Sequence, residues 1–515
     1  MHLSQAQFVL DAPASPRPAA SHAGATAVLE PVPTPVPTPT PVPAPIPIEV
    51  APDAHISAVD APAWEELAAR FRPIFARIAE GAIEREKKRE LAYEAVTWLR
   101  EAKFGAVRIP KAYGGLGATA SQFFRLLLEL AEADSNVSHL FRGHFAFLEA
   151  RLNQPQPEVH ARWFPEVAKG AILGYAMAER ADQAGNARLI RENGELFIDG
   201  TKYYSTGTIY ADWIIVALAD GENRGVSVAV RTDAPGVTRI DDWDGFGQRM
   251  TGSGTTKFDR VKISEDQIIH HRNRRLGGPA SAPPPADAAP NSDTVARAVN
   301  APAAAAAPED PPTFGWGWGD KQSYNKSFLQ LVLLTSMAGA AKAALREGIA
   351  FVLPRARTFN LPAGNGRPLP KDDPLVQRVI GKVSSLVYSA ETHVLALAHH
   401  LEDLYQLAQR GKAFDADFVA TEIKAFQTQQ IVIPTVLEAT TQIFDVGGAS
   451  ATSQGRQLDR HWRNARTAAS HNPAIQRERQ IGDYLLNGAV PDEWGGEARQ
   501  KELAAAAGST NPPKQ

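Results

Sequence analysis

The chain of 515 residues contains no cysteine, which excludes a disulfide framework, a thiolate metal site and a cysteine nucleophile. An excess of either charge is missing too: 54 lysines and arginines stand against 57 acidic residues, a formal net charge of −3. That balance offers no basic surface on average, so neither nucleic acid nor an anionic membrane is expected as the main partner. The N-terminus, MHLSQAQFVLDAPASPRPAA, has no basic start followed by an uninterrupted apolar stretch, and no secretory signal is expected. Membrane-length apolar runs are absent as well. The longest tract, Phe328 to Leu353, is broken by Lys342, Arg346 and Glu347, charges costly at bilayer depth, and reads as a buried helix. No GxGxxG follows a strand pattern and opens a helix, and no P-loop is found, so a nicotinamide site within the chain is not expected. A reducing, cytoplasmic setting fits these absences.

At the usual size of about 100 to 200 residues per domain, the length allows two to four domains. Residues 1–58 include PVPTPVPTPTPVPAPIPI, whose prolines sustain neither helix nor ladder, and are expected to be a disordered tail. A second low-complexity stretch, 276–312, reads as a disordered insertion, and 491–515 as a flexible C-terminal tail. Between them, 59–168 carries helical periodicity, with Trp64, Leu67, Phe71, Ile74 and Ile78 in one stripe and Ser121 ahead of FFRLLLELA. Residues 169–275 switch to short strands (ELFIDG, WIIVALA, GVSVAVR, KFDRVKI), as in a small β-barrel or sandwich. The helical period returns over 313–490. Within the β region, GFGQRMTGSGTTKFDRVKI (245–263) concentrates glycines and hydroxyls, the pattern of a turn whose backbone approaches a partner closely, or of a glycine-rich hairpin.

In PKAYGGLG (110–117), GYAMAERA (174–181), DGTKYYSTG (199–207), the 245–263 run, RARTF (355–359) and DRHWRNARTAASHNP (459–473), the chain resembles the acyl-CoA dehydrogenase superfamily and, within it, the flavin-dependent monooxygenase branch. The resemblance covers about 60–490. It implies an α+β multidomain fold: an N-terminal helical domain, a middle β-barrel domain and a C-terminal four-helix bundle. It also implies a flavin whose ring lies along the backbone of Tyr175, Met177 and Ala178, with the Thr206 hydroxyl at the N5 and O4 edge. Ser253 and Thr255 fall where relatives contact the flavin phosphate, and Arg357 falls where an arginine reaches a phosphate across a subunit interface. Arg249 and Ser450 complete the implied cofactor set; Trp243 either covers the flavin or caps the β domain.

A dehydrogenase of this superfamily needs a carboxylate to take the proton α to a thioester carbonyl. Aligned on the resemblance, Ser470 stands at its usual place, and SYNKS (323–327), where a minority carry it, has no acid. His471, next door, matches a histidine of the monooxygenase branch. An imidazole titrating near neutrality suits holding the proton of a flavin C4a-hydroperoxide. His139 and His144, in SHLFRGHF, match two pocket histidines of the desulfurising relatives, which carry tyrosine and asparagine where this chain has Gly143 and Tyr175. No carboxylate sits three or four residues from either histidine, so no metal is expected. The resemblance thus implies reduced FMN (FAD being the alternative), O2 as co-substrate and a small organosulfur acceptor; without a nicotinamide fingerprint the electrons are expected from an NAD(P)H-dependent flavin reductase, and helices such as Phe328 to Leu353, apolar on more than one face, are expected to assemble a homotetramer. The competing readings are an acyl-CoA dehydrogenase with a displaced base and a catalytically silent scaffold.

Overall fold

The computed structural model describes residues 61–153, 157–180, 186–219, 224–275, 323–358, 361–362 and 369–491. The tail expected over 1–58, the insertion over 276–312 and the C-terminal tail beyond Pro491 lie outside them. Helices come first: α1 (Trp64–Glu80), α2 (Ala82–Lys88), α3 (Tyr93–Glu101), α4 (Ala120–Ala133), α5 (Ser135–Leu140), α6 (Arg142–Leu152) and α7 (Pro157–Ala168). Leu67, Phe71, Phe75 and Ile78 form the buried stripe of α1, a 3.6-residue period turned to the core. The start of α4 is a reciprocal cap: Gln122 N donates to Thr119 Oγ1 at 3.1 Å and Thr119 N to Gln122 Oε1 at 3.0 Å. The helix therefore begins before Ser121, the residue the sequence pattern pointed to.

The strands are β1 (Leu173–Ala176), β2 (Arg188–Glu192), β3 (Glu195–Lys202), β4 (Trp213–Ala219), β5 (Arg224–Arg231), β6 (Val237–Ile240), β7 (Thr255–Ile263) and β8 (Ile268–Arg275). They form one mixed sheet ordered β6-β7-β3-β2-β4-β5-β8, with β1 parallel to β4. The expected barrel is corrected by this order: β6 and β8 are separate edges that do not pair with each other, so the sheet stays open. Alternation still builds its apolar face, with Ile214, Val216 and Leu218 of β4 and Val226, Val228 and Val230 of β5 buried.

The C-terminal helices are α8 (Asn325–Val352), α9 (Pro374–Gln409), α10 (Asp415–Gln442), α11 (Asp459–Ala469) and α12 (Ala474–Asn487), with two short strands, β9 (Arg357–Thr358) and β10 (Leu361–Pro362), after α8. Helix α8 is apolar and long enough to cross a membrane, but 89% of its apolar window is buried inside the protein. It lies against α4, where Phe123 stacks on Phe328 at 5.7 Å. Gly339 allows that approach, since a Cβ there would lie 2.3 Å from Ala131 Cβ. A sealed ion pair ties the same layers: Arg108 Nη2 to Glu149 Oε1 at 2.6 Å, with Tyr324 of the α8 cap donating its hydroxyl to Glu149 at 2.7 Å.

Candidate active site

One residue, Phe141, separates α5 from α6. The break brings His139 at the end of α5 and Arg142 at the start of α6 to His471, in the turn between α11 and α12. His139 is 5% exposed; its Nδ1–H donates to Gln248 Oε1 at 3.0 Å, and its Nε2 is sealed with no hydrogen-bond partner. This tautomer is assigned from the network, in which the Gln248 amide nitrogen faces Asn464 O at 3.4 Å. Burial first, then the Arg142 cation, pushes the His139 pKa down to about 4. Arg142 donates Nε–H to Leu329 O at 3.1 Å and Nη1–H to His471 Nε2 at 3.1 Å, both neutral acceptors. Burial lowers even its pKa, to about 10, and no carboxylate among the described residues offsets that.

With Nε2 accepting from Arg142, His471 carries its proton on Nδ1 and donates to Asn472 Oδ1 at 3.1 Å. Asn472 is fixed in turn by Gln330 of α8 (2.5 Å) and Gln429 of α10 (3.1 Å). Burial of the ring, then Arg142 and His139, hold the His471 pKa far below the ordinary 6.5. His471 is exposed as a residue, and the guanidinium in contact with its Nε2 disfavours a second proton there. Its contacts, a guanidinium donor at Nε2 and Asn472 Oδ1 at Nδ1, favour the neutral ring over the imidazolium, which shifts it below the near-neutral titration expected of it.

A chain of hydroxyls runs to the same place. Thr206 Oγ1 bonds Ser253 Oγ at 2.8 Å, Ser253 bonds Thr251 Oγ1 at 2.7 Å, and Thr251 donates to Gln248 O at 2.9 Å. Gln248 therefore joins the hydroxyls to His139. Beside Thr206, the buried Ser205 Oγ has no partner. The contact between Thr206 and Ser253 corrects their expected division of labour, because a flavin's N5 edge and its phosphate lie at opposite ends of a ribityl chain and cannot both meet one pair of touching hydroxyls. Thr255 is also engaged elsewhere, its Oγ1 donating to Asp242 Oδ2 at 2.7 Å, an anion that a phosphate would avoid. The glycines of the run approach protein: a Cβ on Gly247 would lie 2.1 Å from Arg463 O, and one on Gly254 1.8 Å from Ile240 O.

The strand end at 175–179 is pinned by its neighbour: Tyr203 N donates to Ala178 O at 3.0 Å, and Lys202 donates to Met177 O at 3.4 Å while pairing with Glu179 at 2.6 Å. Gly143 and Tyr175 face each other, since a Cβ on Gly143 would lie 2.6 Å from Tyr175 Cδ2. Glycine at 143 is thus the condition for an aromatic ring at 175. His144 is corrected as a catalytic candidate. It is fully buried, Nε2–H donates to Gly105 O at 2.9 Å and Nδ1 accepts from Leu173 N at 3.2 Å, so both nitrogens clamp backbone.

The remaining candidates lie apart from the cluster. Arg249 bonds Glu86 O at 3.2 Å and pairs with its carboxylate at 3.5 Å, a carboxylate it shares with Arg463. Trp243 donates Nε1–H to Gly247 O at 3.0 Å and meets Tyr204 edge-on at 5.9 Å. It lines a groove of about 360 Å³ of mixed charge, with Asp241, Asp242 and Asp244 facing Arg89 and Arg249. Arg357 is exposed on β9 and Ser450 on a surface turn, neither with a side-chain hydrogen bond or ion pair among the described residues.

Two features matter most for chemistry. Among the described residues no carboxylate contributes to the electrostatics of His139, Arg142 or His471, and Ser470 is an exposed helix-end residue whose hydroxyl bonds Arg466 O at 3.0 Å. Arg142 was missed by sequence reasoning although it lies between the two histidines of SHLFRGHF. Its signal was an arginine set between Phe141 and Gly143 in a stretch whose other residues are all buried.

Residues 64–171 match the family model described as the acyl-CoA dehydrogenase N-terminal domain, and residues 331–475 that of its C-terminal domain. Dibenzothiophene monooxygenase of Rhodococcus erythropolis is 24% identical over 422 residues, 80% of this chain and 90% of that protein. The protein named "probable FMNH2-dependent monooxygenase SfnC" from Pseudomonas putida is 23% identical over 426 residues, covering 82% and 94%. The crystal structure of FMN-bound TdsC from Paenibacillus sp. A11-2 superposes with a TM-score of 0.68 at 23% identity, covering 83% of this chain and 98% of that one.

Proposed function

The chain belongs to the acyl-CoA dehydrogenase superfamily, and on that premise we propose that it is a reduced-flavin-dependent monooxygenase placing one oxygen atom of O2 on a small organosulfur acceptor. The observation that carries this reading is the make-up of the cluster, two neutral imidazoles and a guanidinium without a carboxylate base. Dehydrogenation needs a proton acceptor of carboxylate type; oxygen transfer needs groups that position and hydrogen-bond.

The residues present fit a flavin at one end. The Thr206 hydroxyl, ordered by Ser253, and the backbone at 175–179 would hold the polar edge of the ring, and the unpartnered Ser205 Oγ and His139 Nε2 are polar atoms a ligand would satisfy. Ser253 and Thr255, expected at the phosphate, are committed to Thr206 and Asp242 and are not assigned to it, while Arg357 stays exposed. Bound and reduced, the flavin supplies the two electrons that let O2 give one oxygen to sulfur and the other to water. Arg142 and Asn472 hold both ring nitrogens of His471, so that ring orients the Arg142 guanidinium, and the imidazole nitrogen left open for a ligand is His139 Nε2. Gln248 orients His139 in the same way. The sequence holds no dinucleotide fingerprint, which supports a separate NAD(P)H-dependent reductase as the electron source, with FMN favoured by the named relatives.

We place assembly as a homotetramer on a different footing from the sequence argument. Helix α8 is covered within the chain, whereas Tyr388 of α9 (72% exposed) and Ile475 and Leu486 of α12 (76% and 85%) present apolar side chains to solvent. Light scattering at the mass of a monomer would remove the proposal. The functional reading is tested with the purified chain, reduced FMN, thioanisole and 18O2: sulfoxide carrying one labelled oxygen is the expected product. Anaerobic reduction of bound FAD by an acyl-CoA, with no labelled sulfoxide, would overturn the reading in favour of dehydrogenation, and absence of flavin binding would favour a scaffold.

A further inference from the structure

We infer that Lys202 is a positioning residue for the flavin, and that its sealed ammonium, held at the Met177 carbonyl by Glu179, makes the strand end at 175–179 favour the reduced form of the ring over the oxidised one. The inference rests on the flavin reading above and deepens it, since that reading gives no role to the lysine of DGTKYYSTG or the glutamate of GYAMAERA.

Strand β1 has one strand neighbour among the described residues, β4, to which it runs parallel. Trp213 N donates to Ile172 O at 3.2 Å, so alternation turns the backbone groups of Leu173, and of Met177 one residue past the strand, to the opposite edge. Side chains clamp that edge at two points. Leu173 N donates to His144 Nδ1 at 3.2 Å, and Met177 O accepts from Lys202 Nζ at 3.4 Å. The first clamp is a neutral imidazole. The second is a cation, and it stands where the backbone is assigned to the flavin.

The ion pair of Lys202 is asymmetric. Its nitrogen lies 2.6 Å from Glu179 Oε1, yet the lysine side chain is 3% exposed and the glutamate side chain 39%. Water screens the carboxylate more than the ammonium, so the pair leaves a net positive field on its inner side. Burial lowers the Lys202 pKa from 10.5, and the hydrogen bond and charge of Glu179 oppose that fall. The Met177 carbonyl shares its peptide with Ala178 N–H, and a cation on the oxygen makes that N–H a stronger donor. Both effects act on one difference between the redox forms: reduced FMN with N1 unprotonated carries a negative charge on its pyrimidine ring that oxidised FMN lacks. A buried cation at the strand end that holds this edge stabilises the charged form, which is how a protein tunes the electronics of a bound cofactor.

The test is calorimetric titration of the full chain with oxidised FMN in air and with reduced FMN under argon, read as the ratio of the two dissociation constants. The parent is expected to bind reduced FMN the more tightly. Lys202→Met should cut that ratio by about tenfold, the scale of one elementary charge acting in a partly screened interior, and Lys202→Arg should keep most of it. Glu179→Gln removes the counter-charge and leaves the lysine, so it should move the ratio the other way, by about threefold. Opposite signs in the two variants are a result that a merely structural pair would not produce. A ratio unchanged in Lys202→Met while both affinities weaken together would overturn the inference, and so would a fall in Glu179→Gln. Where Lys202→Met does not fold, the sign in Glu179→Gln decides. A parent that binds FMN with the same ratio in every variant loses the inference alone; a parent that binds neither form loses the flavin reading with it.

Discussion

Residue by residue, the cluster is defined by what each polar atom lacks or has. His144 and His139 occupy the same eight-residue string, yet His144 spends both nitrogens on Gly105 and Leu173 while His139 keeps one unspent. Spacing along the string cannot tell these apart, because the partners are 39 and 29 residues away for one and 109 for the other. Gly143 offers a sharper test of local geometry. An added methyl would sit 2.6 Å from the Tyr175 ring, so Gly143→Ala should destabilise the fold by about 1–3 kcal/mol, the usual cost of overpacking. Because the clash is with one ring, Tyr175→Ala in the same chain should recover most of that loss, a non-additivity read from urea midpoints of the four variants. Additive losses would mean that the two residues do not meet. The exchange of glycine for a side chain at 143 and of aromatic for asparagine at 175 was visible in the sequence; that each is the condition for the other needed the facing geometry.

Among the elements, helix existence and strand existence were legible because a 3.6-residue stripe and a two-residue alternation are written in the side chains. Closure of the sheet was not, since it depends on whether β6 and β8 meet, and no property of either strand encodes that. The glycine run illustrates the same limit. Its small residues do mark close approach, but the partners are carbonyls of Arg463 and Ile240, and a sequence cannot say whether a bare backbone awaits a ligand or another helix. The contact holding the N-terminal helices to α8 is polar as well as aromatic. Arg108 and Glu149 are 5% and 1% exposed, with Tyr324 as third member. Glu149→Gln should therefore cost about 3 kcal/mol, because it leaves the buried Arg108 cation with only the more distant Glu402 carboxylate at 3.8 Å. A change below 1 kcal/mol in the urea midpoint would show that the pair is solvated.

For the whole molecule, buried histidines set an acid limit on stability. Burial lowers the pKa values of His139 and His144 from 6.5 to about 4, so below 6.5 the unfolded chain binds protons that the folded chain refuses. Stability is then full above 6.5 and falls as pH drops toward 4, by up to about 1.4 kcal/mol per pH unit for each histidine. Glu347, whose carboxyl is held low by His461 and Arg460 despite burial, acts in the same direction at lower pH. Urea midpoints between pH 7.5 and 4.5 should decline with that slope, and His144→Gln should flatten it by one group's share; a midpoint independent of pH would contradict the assignment. The function of the molecule as a whole rests on an imidazole that positions rather than a carboxylate that abstracts, and the direct test is His471→Ala. Stopped-flow and product analysis with reduced FMN, O2 and an organosulfur acceptor should show flavin affinity within about twofold of the parent, oxygenated product slowed by about 10² to 10⁴, and the consumed O2 recovered as hydrogen peroxide. Unchanged coupling of O2 to product in His471→Ala would contradict the account.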